Sequence, residues 1–105
     1  MSTRLPGAKY KSVFDAGRVL RGRLMSAWVV RHPDAGRKAG VVVSKKSFHD
    51  AVDRNRAKRI MREAFRLSVE NVPEDSDWIL VGRSSLSGKK TADVAAELRW
   101  MCGRL

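Results

Sequence analysis

Residues 54–66 combine six basic side chains with a single acidic one, Glu63. Guanidinium and ammonium groups at this density can bind the phosphates of a polyanion. If the stretch is a helix of about 3.6 residues per turn, its apolar side chains share one arc and its basic side chains lie beside them. Cations four residues apart on a helix repel each other, and an anionic partner would relieve that repulsion. A solvated basic face is the alternative. Because the cations cluster instead of alternating with acids, we favour a polyanion-binding surface.

The proposed helix is amphipathic. The arc predicted to pack on a core consists of Ala57, Ile60, Met61, Ala64 and Phe65. The flank predicted to face the partner consists of Arg54, Lys58, Arg62 and Arg66 at successive i, i+4 steps, with Asn55 and Arg59 beside it. Such a division is typical of a surface helix.

The overall charge points to nucleic acid as the polyanion. The chain has 105 residues, a net charge of +11 and 43% hydrophobic residues, which fits one domain with a modest core. A membrane surface is the competing polyanion. No apolar run approaches the roughly 20 residues needed to span a bilayer, and the basic helix lacks the bulky apolar face of an interfacial helix. We therefore expect a nucleic-acid partner and no membrane.

The cellular compartment follows from the N-terminus and the cysteine content. The first ten residues contain no apolar signal-peptide region. The single cysteine, Cys102, cannot form an internal disulfide, and its place in an apolar pattern predicts a buried or half-buried structural thiol. We therefore expect a cytoplasmic protein.

The basic helix needs other elements to position it. Residues 1–7 are expected to be flexible. A short helix begins only after them, carries Tyr10, Val13 and Phe14 on one face and is ended by Asp-Ala-Gly at 15–17. Residues 18–32 look extended, and the Pro-Asp-Ala-Gly turn at 33–36 predicts an antiparallel hairpin with a strand over 38–44.

The second half of the chain predicts a crossover and a closing helix. Asp50 is a plausible N-cap for the basic helix, which must end before Pro73. A buried strand at 78–81 follows, then a polar loop and a helix from Thr91. The order indicates an α+β sandwich, with one sheet and helices packed on it. The strand–helix–strand unit is long enough to join parallel strands.

Catalytic signatures are missing from the sequence. His32 and His49 belong to no metal-ligand spacing, and there is no phosphate-binding glycine loop, nucleophile elbow or carboxylate cluster. We expect no metal site and no catalytic residue in the polypeptide alone.

Several motifs, taken together, resemble the bacterial ribonuclease P protein component. These are Val-Ser-Lys-Lys at 43–46, Arg-Asn-Arg-Ala-Lys-Arg at 54–59 and Arg-Glu-Ala-Phe-Arg at 62–66. Supporting matches are Tyr-Lys-Ser-Val-Phe at 10–14, Gly-Val-Val at 40–42 and Asp-Trp-Ile-Leu-Val at 77–81. The connector at 47–50 departs from the family pattern by one extra residue.

The resemblance implies a fold and a function. The fold is a two-layer α/β sandwich of about four mixed strands and three helices, similar to certain ribosomal proteins. Its β–α–β crossover would be left-handed, although general rules predict a right-handed one. The protein would be the subunit of a ribonucleoprotein endonuclease whose RNA, using Mg²⁺, removes the 5′ leader from precursor tRNA. One monomeric protein would bind one catalytic RNA, and the protein alone would be inactive.

The resemblance also assigns residues. It implies that RNA is contacted by Arg54, Asn55, Arg56, Lys58, Arg59 and Arg62. It implies the same role for Arg66, Lys45 and Lys46, for which other roles compete. Asn55 could instead make only local bonds, Arg66 could pair locally, and the two lysines could be solvated loop residues. Tyr10, Phe14 and Trp28 match a cleft that holds the single-stranded leader. From the residues alone, we would favour core packing of these rings between the first helix and the sheet. Trp78 is predicted to be core, whereas Trp100 has no assigned role.

Two other functions compete with this reading. One is a general RNA-binding or ribosome-associated protein with no processing role, which needs the charge but not the aromatic cleft. The other is a stand-alone nuclease, which the missing carboxylate cluster disfavours.

Overall fold

The computed structural model describes residues 3–105 and has the α+β architecture predicted from the sequence. Helix α1 spans Tyr10–Ala16, α2 spans Ala51–Leu67 and α3 spans Thr91–Cys102. The strands are β1 (Arg18–Arg21), β2 (Met25–Arg31), β3 (Lys38–Val42) and β4 (Ser76–Gly82). Single 3₁₀ turns at Gly7–Lys9, Val69–Asn71 and Ser84–Leu86 complete the described elements.

The four strands form one mixed sheet in the order β1-β2-β4-β3. Strand β2 is antiparallel to both β1 and β4, whereas β3 is parallel to β4. The predicted parallel crossover through the basic helix is therefore confirmed as β3–α2–β4. Its left-handedness stays a prediction of the family resemblance.

The predicted hairpin between β2 and β3 is wrong, because β4 lies between these strands. The turn at 33–36 bonds to the start of β4 instead of closing a hairpin. The amides of Gly36 and Lys38 donate to Asp77 Oδ1 at 3.1 and 3.2 Å, and the amide of Arg37 donates to the carbonyl of Ser76 at 2.8 Å. Asp77 is buried, and these bonds satisfy its carboxylate. A local turn signal cannot reveal that a distant strand supplies the partners.

Helix α2 forms as its pattern predicts. Asp50 is the N-cap residue, although its side chain makes no capping hydrogen bond. All residues of the predicted apolar arc are buried: Ala57, Ile60, Met61, Ala64 and Phe65. Together with α3, this arc covers one face of the sheet and forms the main core. Trp78 is fully buried in that core, as predicted, and its Nε1 donates to Ser76 Oγ at 2.9 Å.

The opposite face of the sheet has a much smaller cover. Helix α1 contacts β2 and β4 there, and the buried residues of this side are Leu5, Val13 and Ile79.

The described part of the N-terminal segment, which was predicted to be flexible, is hydrogen-bonded to the sheet. Leu5 is 5% exposed and its amide donates to the carbonyl of Ala39 at 3.0 Å. The amide of Ala39 in turn donates to the carbonyl of Thr3 at 2.7 Å. Thr3–Leu5 therefore extends the sheet along the free edge of β3, because that edge offers unpaired backbone groups. Residues 1 and 2 of the stretch predicted to be flexible lie outside the described residues.

Candidate nucleic-acid interface

The outer side of α2 brings together the predicted RNA-binding residues of that helix. None of the seven is buried: Asn55, Arg56, Arg59 and Arg66 are exposed, and Arg54, Lys58 and Arg62 are half-buried. The apolar arc holds the helix on the sheet, so the cations of the other side are displayed from a rigid support. We call the surface made by these seven residues the α2 basic face.

Arg54 has a structural bond that its motif did not predict. Its Nη1 donates to the carbonyls of Phe48 and His49, both at 2.9 Å. Phe48 is 3% exposed. Arg54 therefore holds the connector before α2 in place at a residue whose ring is buried. Arg54 therefore serves the local fold as well as any RNA contact.

Arg66 forms the local pair that the sequence left open. Its guanidinium donates to both carboxylate oxygens of Glu63, one turn earlier on an exposed surface. This hydrogen bond lowers the pKa of the Glu63 carboxyl and, together with the charge attraction, raises the pKa of Arg66. An exposed pair of this kind contributes little to stability. Arg66 is therefore held by a carboxylate that a phosphate would have to displace.

One further cation, which was not predicted from the sequence, lies beside the α2 basic face. Arg4 lines a groove of about 280 Å³ together with Arg59, Arg62 and Arg66. Arg4 lies in this groove because its backbone forms a parallel β-bridge with Ala39 of β3. No signal in the sequence could have placed it, since the bridge joins residues that are far apart in the chain.

Lys45 and Lys46 lie in a turn directly after β3, and both are exposed. Ser44 fixes this turn: its Oγ accepts from the amide of Ser47 at 3.1 Å, and its carbonyl accepts from the amide of Phe48 at 3.0 Å. Because the chain passes from this turn into α2, the two lysines lie at the end of the sheet where α2 begins.

The three predicted cleft residues come together on the opposite face of the sheet. The ring centroids of Phe14 and Trp28 are 5.2 Å apart in an edge-to-face arrangement. Phe14 is 37% exposed, and Tyr10 and Trp28 are half-buried. The rings are thus partly packed and partly accessible. Gly40 makes room for Tyr10, since a Cβ at that position would collide with the tyrosine ring.

The floor of this cleft is aliphatic, which the sequence analysis did not foresee. Val42 and Val81 are half-buried and pack against the same small cluster as Tyr10 and Trp28. Val19, directly opposite Trp28 in the sheet, is 36% exposed. Alternation along the strands was the available signal, but residues 78–81, including Val81, were predicted to form a buried strand. We call the surface formed by these rings and valines the aromatic cleft.

The two surfaces approach each other along β3. Tyr10 lies over Gly40 on one face of that strand, while the groove under Arg59 and Arg62 includes Ala39 of the same strand. An extended polyanion could therefore contact both.

Among residues 3–105, no three His, Cys, Asp or Glu side chains lie close enough together to hold a metal ion. In the same part of the chain, no helix has the length and apolar character needed to cross a membrane.

Comparisons with known proteins agree on one family. A family model described as Ribonuclease P matches residues 5–105. The ribonuclease P protein component of an Exiguobacterium species is 31% identical over 91 residues, which cover 87% of this chain and 78% of the relative. The Clostridium acetobutylicum component is 28% identical over 95 residues, covering 88% and 78%.

Solved structures show the same fold. The ribonuclease P protein of Thermotoga maritima superposes with a TM-score of 0.82 at 24% identity, covering 97% of this chain and 96% of that one. The Staphylococcus aureus protein superposes with a TM-score of 0.79 at 22% identity, covering 99% and 95%.

Proposed function

The chain belongs to the ribonuclease P protein family, and from this premise we propose that it is the protein subunit of a ribonuclease P holoenzyme. In this role it binds the catalytic RNA and the 5′ leader of precursor tRNA and assists the endonucleolytic removal of that leader. The observation that carries the proposal is the pairing of two different surfaces on one small fold, the α2 basic face and the aromatic cleft. Both approach β3.

The α2 basic face suits the RNA backbone. Arginine forks bind phosphate oxygens in pairs and stay charged at any physiological pH. Each phosphate that they neutralise releases condensed counterions, which makes binding favourable and salt-dependent. Asn55, exposed between Arg54 and Arg56, can both donate and accept and could therefore contact a base or a ribose. We assign Lys45 and Lys46 to the same backbone contacts.

The aromatic cleft suits an unpaired strand. Bases stack on aromatic side chains with about 1–3 kcal/mol each and with little sequence preference. A protein that handles many precursor tRNAs needs this tolerance, because their leaders differ in sequence. The exposed edge of Phe14 and the accessible parts of Tyr10 and Trp28 would provide the stacking surface.

The chemistry itself would belong to the RNA. The Mg²⁺ ions of the hydrolysis would be held mainly by RNA phosphates, since the described residues offer no cluster of ligands for a metal. The protein would contribute positive charge that allows the RNA to fold and bind substrate at low Mg²⁺. We propose one protein monomer per catalytic RNA.

A general RNA-binding protein is the alternative function. The α2 basic face alone would serve such a protein, so the aromatic cleft distinguishes the two proposals.

The direct test is cleavage of a precursor tRNA with a 5′ leader at low Mg²⁺, using the protein, a cognate ribonuclease P RNA, and both. We expect cleavage that requires the RNA and is strongly increased by the protein. Cleavage by the protein alone would contradict the assignment of the chemistry to the RNA. No increase with the cognate RNA would leave the general RNA-binding function.

A substitution in the cleft tests the leader assignment. We expect Phe14→Ala to weaken holoenzyme binding of leader-bearing tRNA about fivefold or more, the lower end of a lost stacking contact, and to leave binding of mature tRNA unchanged. The control is Leu67→Ala. It removes an apolar side chain that is 58% exposed and lies at the end of α2, outside the cleft. Equal losses for both RNAs would refute the cleft assignment.

A further inference from the structure

Trp100 is a large aromatic residue that neither surface uses. It lies on α3, and 51% of its surface is exposed. The guanidinium carbon of Arg104 sits 5.2 Å from the centre of its ring, within the range of a cation–π contact. A tryptophan left this exposed in a protein with a small core gives up much of its possible burial energy. Tryptophan is enriched at binding interfaces.

The neighbours of Trp100 are cationic. Arg21, Arg23 and Arg83 line, with Trp100 and Glu97, a concavity of about 680 Å³. Arg21 ends β1, and Arg23 lies in the turn that leads to β2. Together with Arg104, four arginines therefore surround one exposed ring.

The single carboxylate lining this concavity is committed to the backbone. Glu97 accepts hydrogen bonds from the amides of Arg23, Leu24 and Met25 at 2.5–3.1 Å. Gly22 allows this approach, because a Cβ there would collide with the Glu97 carboxylate. Glu97 therefore holds the turn against α3, and its carboxylate oxygens are already engaged by backbone amides.

Two further bonds hold the turn in place. Arg83 Nη1 donates to the carbonyl of Gly22 at 3.0 Å, and Ser85 Oγ donates to the carbonyl of Arg23 at 2.6 Å. The backbone of the turn that carries Arg23 and follows Arg21 is thus fixed relative to α3 before any ligand binds. Preorganisation of this kind reduces the entropy cost of binding.

We propose that Trp100, with Arg21, Arg23 and Arg104, forms a second RNA-binding site that takes an unpaired nucleotide segment. One base stacks on the Trp100 ring, and the arginines bind the phosphates on either side. This combination of a ring and cations is how proteins hold single strands without reading sequence. A duplex hides the faces of its bases, and an acidic peptide would use the charges but not the ring.

The site is distinct from both surfaces described above. It lies beside β1 on the side of the sheet that carries α3, whereas the aromatic cleft lies on the opposite face and the α2 basic face lies beside β3 at the other edge. The proposal therefore does not depend on the processing function, and direct binding tests it.

Tryptophan emission can report this site alone. The protein has three tryptophans, and Trp78 is fully buried. In a Trp28→Phe background, a change in emission on adding RNA therefore reports Trp100. We would titrate this variant with a single-stranded oligouridine of eight nucleotides. We expect saturable quenching, which disappears when Trp100→Phe is added.

Charge variants connect the quenching to the arginines. In the same background, Arg21→Gln with Arg23→Gln should raise the midpoint about fivefold or more, because two phosphate contacts are lost. Arg18→Gln with Arg31→Gln is the matched control, since it removes the same charge from the far ends of β1 and β2. That control should shift the midpoint much less.

Three results would overturn the proposal. One is the absence of quenching by the oligouridine, and another is equal quenching by an RNA duplex of the same length. The third is quenching by oligoglutamate at a similar midpoint, which would identify an acidic protein as the partner.

Discussion

The two faces of the sheet are covered to different extents by helices. Helices α2 and α3 together have 29 residues, from 17 and 12, and they bury one face in a continuous core. Helix α1 has seven residues and buries a single side chain of its own, Val13. Because one short helix cannot cover four strands, Trp28, Val42 and Val81 stay half-buried on that face.

This difference separates two kinds of binding surface. On α2, apart from Arg54, the residues that hold the fold and the cations that would bind RNA occupy different sides of the helix. In the aromatic cleft, Phe14 and Trp28 pack on each other and would also be the surface that binds the proposed ligand. Substitutions should therefore affect stability and RNA binding independently on α2 and together in the cleft.

The largest expected effect compares two phenylalanines, one from each face. Phe65 is 1% exposed in the main core and Phe14 is 37% exposed at the cleft. Phe65→Ala should lower the free energy of unfolding by about 3–5 kcal/mol, the usual cost of such a cavity. Phe14→Ala should lower it by about 1 kcal/mol, because part of its contact is an aromatic pair with Trp28.

Denaturant unfolding of both variants and the parent protein measures this contrast. Sulfate at constant concentration should be present throughout, so that repulsion among the cations is screened equally. Similar losses in the free energy of unfolding for the two variants would show that side chains under α1 are as well buried as those under α2 and α3. The distinction between the faces would then be lost.

Much of the fold was predictable because its signals are local. The family resemblance read from the motifs is confirmed, and so are the apolar arc of α2, the short helix α1 and the closing helix α3. The β2–β3 hairpin was wrong because Ser76 and Asp77, about 40 residues away, accept the hydrogen bonds of the turn. The break between β1 and β2 was missed for a similar reason, since Glu97 holds that turn from α3.

The candidate surfaces were predictable where one motif supplies all the residues. The seven residues of α2 lie on one face because a single helix carries them. Arg4 and the four arginines around Trp100 were missed, because separate elements bring them together. The second role of Arg54, bonding to the connector carbonyls, was missed because no sequence pattern distinguishes it from a phosphate contact.

A charge substitution on α2 should affect binding without affecting stability. Arg59 is exposed and lines the groove with Arg62. We expect Arg59→Gln to weaken binding to the catalytic RNA and to reduce the salt slope by about one. The loss should therefore be about threefold greater at 50 mM than at 200 mM salt. The melting temperature should stay within a degree or two of the parent value, as expected for a surface change.

Filter binding across a salt series, with thermal melting in parallel, checks this expectation. Arg31→Gln is the matched control, since it also removes one charge but lies at the end of β2, paired with Asp75. A drop in stability for Arg59→Gln larger than that of the control would mean that folding and binding residues are not separated on α2.

The smallest expected effect has the opposite sign and concerns Glu63. Glu63→Gln removes the carboxylate that holds Arg66, so RNA binding should become about twofold tighter near neutral pH, because an exposed ion pair competes only weakly with a phosphate. The bond from Arg66 lowers the pKa of Glu63, so the carboxylate stays charged until the pH falls below the ordinary glutamate value of about 4.3. The small stabilisation from the pair is therefore present above that pH and is lost as the pH falls through the lowered pKa. The advantage of the variant in RNA binding should disappear over the same acidic range, because protonation of Glu63 releases Arg66 in the parent protein as well. Weaker binding by Glu63→Gln at neutral pH would show that the pair positions Arg66 for RNA and does not compete with it.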